Sequence, residues 1–308
     1  MGNIDGIIFI DANQYLDLYR THTGKKLLAS LNEQKDYIFV TEQIVDEVQR
    51  NKVYVAATFL KGLSEKLKLP NFAVPDHLFG KTDDRVGRIR DALKNGHGQI
   101  DIVNEQLMDL AHDLLDQITS SEDEASKVLK GLFAKAVPHT EDELNRAKVR
   151  KELGSAPGKK ADPLGDQLTW EQILSRCQSK TKLWIITGDG DYATEYKEKM
   201  FLNAALYQEL VKLHGSAPEV FCFNNIPDRI KHFSETTKVK AEKLPTPEET
   251  EQIKKELESL PPLGWLSNYD DGVFIAIQND LIRKKYSAAL LNTQPNQPFV
   301  DELPPSSG

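Results

Sequence analysis

The chain has 308 residues, enough for one large domain or a domain with a substantial insertion or tail, and its 39% hydrophobic content supplies a core. A formal net charge of −8, with 28% charged residues, argues against a uniformly basic nucleic-acid surface. It leaves room for an acidic site neutralised by divalent ions. No run approaches the roughly 20 apolar residues that cross a bilayer, so no membrane association is expected. The first residues lack a signal-peptide pattern, since Asp5 and Asp11 bracket only four apolar residues. Cys177 and Cys222 lie in apolar segments without metal or redox spacing, which predicts buried reduced thiols in a cytoplasmic protein.

Four short apolar runs read as strands: IIFI at 7–10, YIFV at 37–40, LWIIT at 183–187 and EVFCF at 219–223. A helix-length stretch over 14–31 separates the first two. After the second, VTEQIVDEVQR opens another helix, with Thr41 as cap and Ile44, Val45 and Val48 as its apolar stripe. Strand, helix, strand, helix predicts an α/β fold with a parallel sheet covered on both faces. Between about 66 and 160 the alternation stops. Val103, Leu107, Leu110, Leu114 and Ile118 recur at helical spacing, and EDEASKVLKGLFAKAV and EDELNRAKVRKEL also read as helices. The expectation is a helical insertion over one sheet edge, with loops around 71–76 and 155–160. A helix starting near Gly165 and Asp166 leads into the third strand, and one over 202–213 leads into the fourth. A C-terminal extension over 236–308 carries a helix capped by Thr246, with Pro247 at its first position and Glu249 in a capping box. GVFIAI either seals the core or joins subunits. The last residues, rich in Pro, Asn, Gln and Ser, read as a disordered tail.

In an open parallel sheet, function collects outside the carboxyl ends of the strands. Asp11 directly follows the first strand and Asp189 follows the third by two residues. Glu47 lies about two turns into the helix after the second strand. Asp166 opens the helix that leads into the third strand, and Asp162 precedes it by four residues. Each has an ordinary alternative: a helix cap for Asp11 or Asp166, a solvated helix position for Glu47, a turn beside glycine for Asp189. Together they would repel one another, and crowded carboxylates destabilise a fold unless a cation joins them. Mg²⁺ and Mn²⁺ are hard ions that suit such oxygen donors.

FIDAN, VTEQIVDEVQRNK, PGKKADPLGDQLTWEQIL and WIITGDGDYAT resemble the corresponding stretches of the PIN-domain nucleases, and in particular the larger bacterial members with a helical insertion. The likeness covers about 1–235 and is weakest through the insertion. It implies a three-layer PIN-like sandwich with a central, mostly parallel sheet, and phosphodiester hydrolysis by one or two Mg²⁺ or Mn²⁺ ions, in RNA ahead of DNA. By the same resemblance Asp11, Glu47, Asp166 and Asp189 are the acidic metal positions, with Asp191 a further ligand and Asn13, Thr187 and Asp162 accessory polar groups. The seven histidines show no ligand or triad spacing.

A nuclease needs cations for its polyanionic substrate. Arg146, Lys148, Arg150, Lys151, Lys159 and Lys160, against a single acid at Glu152, run straight into the Asp162–Asp166 stretch. A basic rim beside an acidic centre would capture phosphate, and a solvated helix face is the ordinary alternative. Arg50 and Lys52 are further candidates. Trp170 reads as core rather than a base-stacking platform. A homo-oligomer or a regulatory partner stays open. Two rivals remain. A phosphatase of the haloacid dehalogenase type needs a second aspartate two positions after Asp11, where this chain has Asn13. A catalytically silent PIN-like scaffold binding RNA or protein would have no reason to keep a repulsive set of acids.

Overall fold

The computed structural model describes residues 5–66, 84–158, 164–178, 182–237, 239, 243–260 and 263. Four strands, β1 (Gly6–Ile10), β2 (Ile38–Phe39), β3 (Lys182–Ile186) and β6 (Glu219–Phe223), form a parallel sheet in the order β2-β1-β3-β6. Strand β1 thus has its successor β2 on one side and β3 on the other. The order reverses between β1 and β3, which makes their carboxyl ends the topological switch point where such folds open a crevice.

β1 and β3 are continuous apolar runs because both faces of the sheet are covered. Ile8 pairs with Trp184 and Phe9 with Ile185, so alternate pairs face opposite layers. On one side Trp184 meets Phe233 of helix α9 (Ile226–Thr237) edge-on at 5.0 Å. On the other, Phe9 meets Tyr192 at 6.0 Å, and Tyr192 meets Trp170 of α7 (Gly165–Cys177) at 6.3 Å. Gly6 is a glycine for a steric reason: a Cβ there would stand 2.7 Å from the Trp184 ring.

The helix expected over 14–31 is broken into α1 (Ala12–Leu16), a 3₁₀ turn (Asp17–Tyr19) and α2 (Lys25–Gln34). The amide of Arg20 turns back to the Asp17 carbonyl, and the Thr21 hydroxyl binds that carbonyl too. Local polar groups there compete with helix propagation. Beyond β2, Thr41 caps α3 (Glu42–Lys66) by accepting the Ile44 amide at 3.2 Å.

The insertion supplies α4 (Asp84–Thr119), α5 (Glu124–Phe133) and α6 (Glu141–Leu153). They pack mainly on helices rather than over a sheet edge: α4 on α3, α5 on α2 and α6 on α7. The connection after α5 reaches the edge strand's end, where Val137 bridges Thr41. The stripe expected on α4 is only partly covered. Ile118 is buried, while Val103 and Leu110 face solvent, because one partner helix shields one face. The predicted loop at 71–76 lies outside the described residues.

Two strands were not anticipated. β4 (Ala193–Tyr196) and β5 (Lys199–Leu202) form an antiparallel hairpin between β3 and α8 (Ala204–His214), so α8 starts later than the predicted 202. The capped C-terminal helix, α10 (Pro247–Ser259), carries the expected capping box of Thr246 and Glu249. It is not separate from the domain. Glu256 accepts from the His22 and Thr23 amides, and Lys254 pairs with Asp228 at 2.8 Å. The first compact unit runs from Met1 to Leu263; the second, Gly264–Gly308, includes GVFIAI and the tail and lies outside the described residues. Among the described residues no helix is long and apolar enough to cross a membrane. Cys177 and Cys222 are free thiols, and burial pushes both up to about 12, so neither offers a thiolate.

Candidate functional site

Asp11 ends β1 at the switch point. Its amide continues the ladder to the Ile186 carbonyl at 2.9 Å, which fixes the carboxylate beside the end of β3. One carboxylate oxygen accepts the Ala12 amide at 2.7 Å, and the other accepts the Thr187 hydroxyl at 3.0 Å. Asp11 therefore does cap α1, and the capping role and a site role coexist. Thr187 is fully buried, and its hydroxyl oxygen also accepts the Asp189 amide at 2.9 Å. One hydroxyl thus sets two aspartates against each other. Asp189 folds the next turn onto itself: its side chain accepts the Asp191 amide at 2.8 Å, and its carbonyl accepts the amides of Tyr192 and Ala193.

Two helix starts bring the remaining acids. Asp166 lies in the first turn of α7, a favourable place for an anion near the positive helix end. Gly165 lies so close to Gln43, in the first turn of α3, that a Cβ would stand 2.8 Å from its side-chain amide. That approach brings Glu47, one turn further along α3, towards the same mouth. Tyr192 lies beneath, 1% exposed, and its hydroxyl donates to the Asp166 carbonyl at 3.2 Å.

The electrostatics show that the four acids share one neighbourhood. Burial raises Asp11 well above the usual carboxylate range; Glu47 and Asp166 raise it further, and Asp189 does so to a lesser degree, while the Thr187 hydrogen bond opposes them. Burial also raises Glu47, offset by Arg50 and reinforced by Asp189. The Tyr192 phenol is driven up by burial and then by Asp166, Asp11, Asp189 and Glu47. Among the described residues no three acids, histidines or cysteines stand at ligand spacing around one point. The donor chemistry fits a hard divalent cation: carboxylate oxygens from four chain segments, with no histidine or thiolate among them.

The other sequence candidates divide. Asn13 is half-buried in α1, two residues beyond Asp11, and Asp191 is half-buried in the turn after Asp189. Arg50 is exposed and its charge reaches Glu47. Lys52 is corrected: it is 2% exposed, and its ammonium donates to Ser121 at 2.7 Å and Ser126 at 3.2 Å, pinning α3 to α5 and the turn before it. Arg150 is corrected too. It is buried between Glu171 and Glu209 and also donates to the Ala156 carbonyl, so its guanidinium is consumed within the fold. Arg146 is half-exposed but donates to Glu171 at 2.8 Å and to Ser175, which ties it to the α6–α7 interface. Asp162, Lys159 and Lys160 lie outside the described residues. Trp170 is core, as expected, with its indole N–H on Glu209. Sequence reasoning passed over Tyr192, whose one signal was an aromatic next to GDGD.

A switch point on a parallel sheet, ringed by acids from two strand ends and from the opening turns of two helices, defines a PIN-like α/β protein. A family model for the PIN domain matches residues 8–192, so the chain belongs to the PIN-domain family. That span contains Asp11, Glu47, Asp166, Asp189 and Asp191. No curated protein and no solved structure matches the chain. PIN domains are generally nucleases, which gives this chain a nuclease-type fold.

Proposed function

We propose that this chain is a metal-dependent nuclease that hydrolyses phosphodiester bonds, in RNA ahead of DNA. Asp11, Glu47, Asp166 and Asp189 would hold Mg²⁺ or Mn²⁺, with Asp191 adding a further oxygen. The observation that carries this reading is geometric: Asp11 is buried at the end of β1, its carboxylate is held by the Ala12 amide and the Thr187 hydroxyl, and acids from three other segments lie close enough to act on it. Such an arrangement is costly for the bare chain and suits a bound cation. When bound, a divalent ion supplies Lewis-acid activation of water and stabilises charge on the scissile phosphate and leaving oxygen.

The chain's own groups position the chemistry. The Ala12 amide and Thr187 hydroxyl hold both Asp11 oxygens, leaving little rotational freedom in the carboxylate. Thr187 transmits that order to Asp189 through its amide. Tyr192 stays protonated, and its buried phenol donates to the Asp166 carbonyl, tying the turn after β3 to the start of α7. Arg50, exposed with its charge reaching Glu47, would meet a substrate phosphate, and Lys159 and Lys160 are proposed for the same role. Two unreactive thiols and RNA as substrate fit a cytoplasmic protein.

Cleavage of labelled single- and double-stranded RNA and DNA, with Mg²⁺, Mn²⁺ or EDTA, tests the reading. The wild type should cut RNA with Mn²⁺ and not with EDTA, and Asp11→Asn or Asp189→Asn should abolish cutting while the protein stays folded. Equal cutting by both purified variants would remove these residues from the reaction. No cutting of any substrate, with no metal-dependent rise in melting temperature, would leave a silent scaffold.

A further inference from the structure

The β4–β5 hairpin leaves the candidate site directly. Ala193, its first residue, donates its amide to the Asp189 carbonyl, and the Asn203 amide closes its base on the Tyr192 carbonyl at 2.8 Å. Cross-strand pairs are Ala193 with Leu202, Thr194 with Phe201, Glu195 with Met200 and Tyr196 with Lys199. Directly paired residues share a face, and faces alternate along a strand. One face therefore carries Ala193, Glu195, Met200 and Leu202; Ala193 is buried, Met200 and Leu202 are half-buried, and Glu195 is exposed but held by the Asn224 side-chain amide at 2.9 Å. The other carries Thr194, Tyr196, Lys199 and Phe201, all exposed.

This outward face inverts the usual placement of large apolar groups. Tyr196 is 65% exposed and Phe201 48%, whereas Met200 and Leu202 on the opposite face are half-buried. Each ring has its own cation: the Lys197 ammonium lies 5.5 Å from the Tyr196 centroid, and the Lys199 ammonium 5.2 Å from that of Phe201. The turn is unusual too. Lys197 and Glu198 hold φ of 49° and 64°, a left-handed pair normally filled by Asn-Gly. Lysine at such a position keeps a cation at the tip against a local conformational cost.

We propose that the outward face of the β4–β5 hairpin is a stacking platform for unpaired nucleotides, delivering single-stranded nucleic acid to the acid crevice. Tyr196 and Phe201 take base faces; Lys197 and Lys199 take the adjoining phosphates. The proposal rests on reading the crevice as a nuclease site, and it narrows the substrate to single strands, because bases stacked within a duplex present no free face. Charge favours nucleic acid over a protein partner: the exposed rings are flanked by lysines, and of the nearby acids Glu195 faces the other way while Glu198 sits at the tip.

Fluorescence anisotropy with a labelled oligouridine of about 12 nucleotides, within the usual range of single-strand site sizes, tests this in EDTA so that no cleavage intervenes. The wild type should bind the single strand more tightly than a blunt duplex of equal length. The double variant Tyr196→Ala/Phe201→Ala should weaken single-strand binding at least about tenfold with an unchanged melting temperature. Lys197→Gln/Lys199→Gln should flatten the salt slope by about 1.4 and decides the matter if the alanine variant is less stable. Unaltered binding by both variants, or a wild type that prefers the duplex or binds neither, overturns the proposal, and unaltered binding would point the hairpin to another partner. Failure of the nuclease reading shows separately, as absent metal-dependent cleavage by a protein that still binds through this face.

Discussion

Asp11 retains a proton in the folded chain at pH values where the unfolded chain has released it, because burial and three neighbouring acids penalise the anion. Between those two ranges the native state binds more protons than the unfolded state, so in the absence of metal, stability falls as pH rises. The loss begins above the ordinary aspartate range near about 4 and is complete once the pH passes the raised folded value. Asp11→Asn cannot ionise. Urea unfolding in EDTA should therefore show the wild type losing more stability than the variant from pH 4.5 to 8; parallel curves would separate Asp11 from the field of the other acids. Arg150 illustrates the reverse case, charges that attract. Its removal leaves Glu171, whose side chain is 6% exposed, short of its buried partner, so Arg150→Ala should cost about 3 kcal/mol in the same assay. That the four acids lie near one another was legible in the sequence, because strand ends and helix starts of a parallel fold meet at one place; their role as metal ligands is proposed. The roles of Arg150 and Lys52 were not: a basic run shows charge, whereas Glu171 and Glu209, which consume Arg150, lie 21 and 59 residues away.

Among the elements, the buried strands and capped helices followed from local pattern, since apolar runs and capping boxes are written in adjacent residues. The β4–β5 hairpin did not. Its aromatics, Tyr196 and Phe201, lie on the exposed face, so no buried apolar alternation marks the strands, and its turn lacks the Asn-Gly that announces a left-handed pair. Glycine adopts the φ of Glu198 freely, so Glu198→Gly should raise stability by about 1 kcal/mol in chemical denaturation, and a loss of that size would show that the Glu198 side chain has contacts worth more than the strain. The outer line of α4 was misread for a related reason. Helical spacing reveals an apolar line, but whether a second helix covers it is a tertiary matter, and Val103 and Leu110 stay in solvent. The helix expected over 14–31 broke where Asp17 and Thr21 offered the backbone other partners.

At the scale of the molecule, the alternation of strands and helices predicted the parallel sheet, but a strand order of β2-β1-β3-β6 follows from pairings that sequence periodicity does not encode. Helix α10 docks through single side chains, Glu256 on the His22–Thr23 backbone and Lys254 on Asp228, that leave no periodic signal in the sequence. A chain ended at Leu263 should therefore melt at a higher temperature than one ended at Pro245, which lacks α10; equal melting would show that the docking contributes nothing to the fold. The central claim is that Asp11, Glu47, Asp166 and Asp189 share a divalent ion. Isothermal titration of Mn²⁺ into the purified protein, compared with Asp11→Asn, Glu47→Gln, Asp166→Asn and Asp189→Asn, tests it most directly. The wild type should bind Mn²⁺, with each substitution weakening it at least about tenfold; a wild type that takes up no Mn²⁺, or four variants that bind it equally well, would contradict the claim.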